Sequence, residues 1–393
     1  MTTHAPERAR IESVDVVRGI IMILMALDHT RDFFGDVSAS PTNAATTTVP
    51  LFLTRWITHL CAPVFFLLTG TGARLALRRR GRAGLSRFLV SRGLWLVLLE
   101  FTLVRFFWQF NLDYRVTLLT VMWALGWCMV ALGALVWLPG RAILAVGVGM
   151  IAFHNLFDGV RAQELGALAP LWTALHGPGP LWSDGTHLVF VAYPLVPWIG
   201  VPAVGFALGA VYEWPAERRR ALLGRLGLAM VAAFVVLRLI NVYGDPRPWT
   251  AQATPVRTVL AFLDTTKYPP SLLFLLMTLG PALLMLRALD GGTPGWLRPA
   301  RVFGAVPLFY YGMHILLLHL GAAAASLARY GTARPMLESP DLGSFPVTQP
   351  PGWPAPLPVV WLIWIAAVTL LYPLCRWFAE VKRRRRDAWL SYL

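Results

Sequence analysis

Asp15–Phe34 reads DVVRGIIMILMALDHTRDFF, and the fold turns on how this one stretch is read. Its centre, Ile20 to Leu27, is nearly pure hydrocarbon, whereas Asp15, Arg18, Asp28, His29, Arg31 and Asp32 crowd the two ends. As a helix, it places Arg18 and His29 about 16 Å apart along the axis and within about 20° of the same face. Asp15, Arg18, Met22, Met25, His29 and Asp32 follow one another at spacings of three and four, which makes a single stripe. Ionisable groups at membrane depth are costly when they face lipid. The stripe therefore belongs against the protein interior or a wet cavity, and the chemistry is expected there.

The rest of the chain supports a membrane setting. Apolar residues make up 56% and charged residues 14% of the 393 positions, against about 45–50% and about 25% in soluble domains. Long apolar runs recur from end to end, with 17 Trp and 21 Phe, many near the run ends. The expectation is an all-α, polytopic membrane helix bundle; a β-barrel would alternate over segments of about ten residues. The net charge of +15 raises nucleic acid as a partner, but the basic residues come in short bursts between apolar runs: Arg78-Arg79-Arg80, Arg218-Arg219-Arg220 and Lys382 to Arg386. Such bursts suit cytoplasmic loops touching anionic headgroups, so membrane lipids, and no nucleic acid, are the expected partners. Cys61, Cys128 and Cys375 lie inside apolar runs without metal-ligand spacing, so neither a disulfide framework nor a metal site is expected. The first apolar run carries charges and lacks a small-residue cleavage site, which argues against a cleaved signal.

Ten spans are read, at about 15–34, 51–76, 86–108, 115–138, 140–157, 187–212, 219–243, 269–289, 303–327 and 357–378. Most are about 20–26 residues long, enough to cross a core of about 30 Å. Roughly two-thirds of the 35 Lys and Arg fall on the side that holds the first residues, which predicts both termini in the cytoplasm. Short tails, 1–14 and 380–393, would then flank one transmembrane domain covering 1–393. Residues 35–50, 158–186 and 328–356 form long outer loops rich in Pro, Gly, Ser, Thr and Ala. Val256 to Leu263 is apolar enough for a short re-entrant or surface helix, and Pro269-Pro270 is expected to open the eighth span.

Five stretches then carry a resemblance: Arg10 to Phe34 (RIESVDVVRGIIMILMALDHTRDFF), Arg55 to Gly70 (RWITHLCAPVFFLLTG), Tyr193 to Gly200 (YPLVPWIG), Thr266 to Gly280 (TKYPPSLLFLLMTLG) and Val302 to His319 (VFGAVPLFYYGMHILLLH). Together they resemble the bacterial branch of the heparan-α-glucosaminide N-acetyltransferase-like membrane proteins, over most of the chain. The spacing of Arg18 and His29 is also similar to the Arg-x10-His arrangement of related membrane acyltransferases that decorate surface polysaccharides. The resemblance implies a multi-pass acyltransferase of the bacterial inner membrane. It would move an acyl group, acetyl first among candidates, from cytoplasmic acyl-CoA (acetyl-CoA as co-substrate) to an amino or hydroxyl group of a glycan or lipid-linked sugar outside. A homodimer stays open. In the lysosomal member the proposed catalytic histidine follows the first span; residues 35–50 here hold no histidine, so the role passes to His29 or His59.

Acyl transfer needs a base to take the acceptor's proton, and a histidine titrating near neutrality suits that task. His29 is the first candidate, with Asp28 or Asp32 to fix its tautomer and steady the imidazolium. His59, one turn after Arg55, is the second, or else a helix-end polar residue. Arg55 would either pair with Asp28 or Asp32 or touch substrate. Arg18 sits at the cytoplasmic edge, where a guanidinium can meet CoA phosphates or snorkel to headgroups. Arg78 and Arg79 are topology determinants with a phosphate role open to one or both. His314 is preferred to His319, because the two differ by about 140° around one helix. Lys267, Tyr268 and Trp198, with Tyr193, Glu100 and Asn111, are candidates to line an outer sugar cavity. Two rival classes are a transporter or flippase using buried His and Asp as a proton relay, and a non-catalytic scaffold. The first lacks inverted repeats, and the second gives buried charges no use.

Overall fold

Helix α1 (Glu12–Phe34) runs unbroken through the charged stripe. The computed structural model describes residues 11–38, 40–338, 342, 345–385 and 387–392; Arg10, the rest of residues 1–9 and Arg386 lie outside the described residues. Glu12 and Asp15 occupy the first turn of α1, where negative charge complements the helix dipole. Asp15, Met22 and Met25 are buried, so the stripe faces inward. It crosses α12 (Arg298–Ala305) almost backbone to backbone: a Cβ on Gly19 would stand 1.8 Å from the Ala300 carbonyl oxygen, and one on Gly304 would stand 1.9 Å from that of Asp15. Only glycine permits that approach.

Next come α2 (Val49–Thr58), capped by the Thr48 hydroxyl, and α3 (Cys61–Leu99). The expected span 51–76 is therefore broken at His59-Leu60, because Pro63 has no N–H to offer the His59 carbonyl. In α3 the backbone kinks at Gly81, with φ of 65°, a left-handed conformation suited to glycine. A π-helical turn (Glu100–Val104) and α4 (Arg105–Gln109) lead to strand β1 (Val116–Leu119). Helices α5 (Val121–Leu135), α6 (Gly140–Phe153) and α7 (Ala169–Leu175) precede strands β2 (Gly179–Ser183) and β3 (Leu188–Val191). The chain continues as α8 (Leu195–Gly209), α9 (Ala216–Ile240), α10 (Pro255–Leu263), α11 (Leu272–Leu289), α12, α13 (Pro307–Tyr330) and α14 (Leu357–Arg384).

The strands are the main departure from the expected spans. Residues 116–119 and 188–191, read as part of the starts of the fourth and sixth spans, pair in parallel instead, with β2 antiparallel to β3 in the order β1-β3-β2. The eighth span begins at Leu272 rather than at the proline pair, since the Ser271 hydroxyl accepts the Phe274 N–H and caps α11 there. The ninth is split at Val306, ahead of Pro307. Val256 to Leu263 does lie in a short separate helix, α10.

Among the described residues, seven helical runs are long and apolar enough to cross a membrane: 49–109, 140–157, 195–213, 216–240, 272–289, 307–330 and 357–384. The first of them carries two of the expected spans, one on each side of Gly81. Charge interrupts α1, and α5 has 15 residues. The protein is an integral membrane helix bundle with a small sheet at one end.

Candidate active site

Two cavities enter the bundle from opposite ends of α1. The first, of about 310 Å³, is walled by Met22, Met25, Met122 and Met129 among other apolar side chains, with Arg18, Arg92 and Lys382 as its cations. The second, of about 290 Å³, is lined by Asp28, His29, Asp32, Arg55, Lys267 and Tyr268, with Trp108, Tyr193, Tyr311 and Phe345 as its aromatic walls. Met25, Phe65, Val121 and Tyr311 line both, so the two spaces lie back to back. The small sheet serves the second: β1 delivers Leu118 and Thr120 to it, and the chain after β3 delivers Ala192 and Tyr193, held by bonds from the Ala192 and Tyr193 N–H groups to the Leu119 carbonyl.

His29 stands on the second cavity, one helical turn from Met25. His314 Nδ1 lies 2.8 Å from the Tyr310 carbonyl oxygen, which can only accept, so this nitrogen carries the hydrogen. In the neutral ring Nε2 must then be the acceptor, and it receives a bond from His29 Nδ1 at 2.7 Å. The relay fixes the tautomer of His29 and leaves its Nε2 with the lone pair. The two imidazoles are nearly parallel, at 9°, while the edge of Trp108 packs on His29 with ring centroids 4.8 Å apart. These contacts hold the ring in one orientation.

The carboxylates do something other than was expected of them. Asp28 accepts from Arg55 and sits 3.5 Å from Arg31 Nη2, and that same nitrogen donates to Asp32 Oδ1 at 2.5 Å. Neither aspartate orients His29; both neutralise largely buried arginines, where an unpaired charge would be severely penalised. The expectation that one of them fixes the tautomer gives way to His314. Outside the helices, burial alone would push the Tyr268 phenol up, but Lys267 and Arg55 outweigh it and hold the group below its usual range.

The other sequence candidates fall on and off these cavities. Arg18, on the first, donates to Asp15 Oδ1 and the Gly304 carbonyl, both at 3.0 Å. Arg78 and Arg79 are exposed and line neither cavity, whereas Arg92 and Lys382 take wall positions in the first. His59 is buried against Phe274, with ring centroids 5.3 Å apart, and also lines neither. Trp198 is wholly buried behind the second cavity, stacked between Phe66 and Tyr193. Glu100 accepts from the Thr120 and Trp123 N–H groups, each at 3.0 Å, and so caps α5; Asn111 binds Arg105. His319 is tied to the Phe107 and Met336 carbonyl oxygens.

Residues that sequence reasoning passed over are Trp108, Tyr311, Phe345, Arg92 and Lys382. Tyr311 had a usable signal, since it precedes His314 by three on one helix. Arg92 and Lys382 were counted as loop charge, and spacing carries no sign that they reach a cavity.

A family model described as heparan-alpha-glucosaminide N-acetyltransferase, catalytic, matches residues 10–239. That is more than half of the chain, and the protein belongs to this family. No curated protein matches it. Lys267, Tyr268, Tyr311, His314 and Lys382 lie beyond the matched stretch, yet all but His314 line the same pair of cavities, and His314 is bonded to His29.

Proposed function

We propose that this membrane acetyltransferase, acting as one domain over 1–393 with both termini in the cytoplasm of a bacterial cell, moves acetyl from cytoplasmic acetyl-CoA to an amino group of an extracytoplasmic sugar. The observation that carries the reading is the meeting of two cavities of opposite chemistry beside His29. Arg18, Arg92 and Lys382 would bind the CoA phosphates through charge-assisted hydrogen bonds. The methionine-rich walls above them suit a flexible thioester arm, because thioether side chains repack at little cost.

The acceptor amine would enter the second cavity. As its nitrogen attacks the thioester carbon, His29 Nε2 takes its proton; the C–S bond then breaks, and the CoA thiolate leaves and recovers a proton from the imidazolium. His314 keeps the accepting nitrogen of His29 turned to the substrate, while Lys267 supplies positive potential for the transient oxyanion. A hydroxyl acceptor would need the same proton transfer.

The test uses purified protein, acetyl-CoA and glucosamine, with thiol release as the readout. His29→Ala should lose turnover while His59→Ala, checked for folding by its thermal transition, keeps it. Full turnover in His29→Ala would overturn the assignment.

A further inference from the structure

A third cavity, of about 360 Å³, lies beside the acceptor cavity and belongs to neither space described above; its walls include Asn43, Arg247, Trp249, Gln252 and Asp264. We infer that it is a second sugar subsite, holding a neighbouring unit of an oligosaccharide acceptor. The inference rests on the acetyl-transfer reading for what occupies the first unit's place.

The cleft is built by a buried cation. The side chain of Arg238 is 2% exposed. It donates to four carbonyl oxygens, those of Arg247 (3.0 Å), Ala261 (3.2 Å), Phe262 (3.0 Å) and Asp264 (2.6 Å). These contacts clamp the segment after α9 to the end of α10. Trp249 is fixed at three points: its N–H and carbonyl pair with the Asn241 side chain at 3.0 and 2.9 Å, and its indole N–H donates to the Arg238 carbonyl at 2.7 Å. An aromatic wall held this way costs little to order when a ligand arrives.

Asp264 supplies the second observation. Its Oδ1 is buried, the Thr42 hydroxyl is a side-chain partner of the carboxylate, and Arg247 Nη1 reaches Oδ2 at 3.8 Å. A carboxylate oxygen can accept from more than one donor, so a ligand hydroxyl or ammonium can bind there beside Thr42. Fixed indole, carboxylate, amide and guanidinium make the mixed apolar and polar surface that a sugar ring presents in complement. Two residues separate Asp264 from Lys267 on the acceptor cavity, a reach of at most about 11 Å. One short sugar chain can therefore span both.

The experiment measures binding of a glucosamine tetramer and of glucosamine to the detergent-solubilised full chain by calorimetry, without acetyl-CoA. The wild type should bind the tetramer at least tenfold more tightly than the monomer. Asp264→Ala and Gln252→Ala should each remove most of that preference and leave glucosamine binding unchanged. Neither variant touches the Asp264 backbone carbonyl that holds Arg238. Equal affinity for the two sugars, or a preference undiminished in both variants, overturns the subsite. A tetramer preference lost in the variants of a protein that transfers no acetyl would uphold the cleft and remove the transfer reading. Transfer with the same KM for monomer and tetramer would do the reverse.

Discussion

The two cavities that meet at Met25 are opposites. Among their described walls, the one at the Arg18 end keeps its charge to three cations and is otherwise dominated by methionine, leucine, alanine and phenylalanine. The one at the His29 end brings two carboxylates, an arginine, a lysine and an imidazole into a space of similar size. The difference shows how buried charge is tolerated. In the first, Arg18 is set against a helix carbonyl and Asp15; in the second, charge is cancelled pair by pair through Asp28, Asp32, Arg31 and Arg55. His29 needs no carboxylate because a second histidine does its orienting.

The largest break in this contrast should come from unbalancing the charged side. Arg55→Ala leaves Asp28 short of its main partner and is expected to destabilise the protein by about 3–5 kcal/mol, read from thermal unfolding in detergent. The double variant Asp28→Leu, Arg55→Met should recover most of that loss, because an apolar pair removes both charges together. Next in size is the relay. His314→Gln should lower kcat by about 10–100-fold with KM little changed and alter the pH profile of turnover, since the substituted amide no longer imposes one tautomer on His29. On the apolar side, Arg92→Ala or Lys382→Ala should raise the KM for acetyl-CoA by about 10–100-fold each without changing kcat, as loss of a charge-assisted contact worth about 1.5–3 kcal/mol predicts. The smallest effect is expected from Arg78→Ala with Arg79→Ala. Both side chains lie off the cavities, and KM should stay within about twofold.

What the sequence discloses follows from what is local. The inward stripe of α1 is legible because Asp15 to Asp32 repeats at helical spacing within one element, and residues 256–263 announce a short helix through their apolar run. The site itself is assembled from a distance. His29 and His314 are 285 positions apart, and no spacing rule links two helices. The assignment of the tautomer to Asp28 or Asp32 rested on nearness in sequence, but around a helix their side chains point toward Arg31 and Arg55. Residues 116–119 and 188–191 are apolar enough to pass for helix ends, since a short apolar run has no period that separates strand from helix. Basic residues look alike in sequence whether they face outward or line a cavity: Arg78 is exposed, while Arg92 is a wall of the first cavity.

The central claim is that donor and acceptor approach His29 from opposite faces of the membrane. The direct measurement uses vesicles in which the protein is reconstituted in one orientation, with acetyl-CoA supplied on the Arg18 side and glucosamine sealed on the other. N-acetylglucosamine should accumulate in the glucosamine compartment while free CoA accumulates outside, and His29→Ala should stop both. Glucosamine leaving the vesicles without CoA release would contradict the account and favour transport, as would product formed only when both substrates share one side.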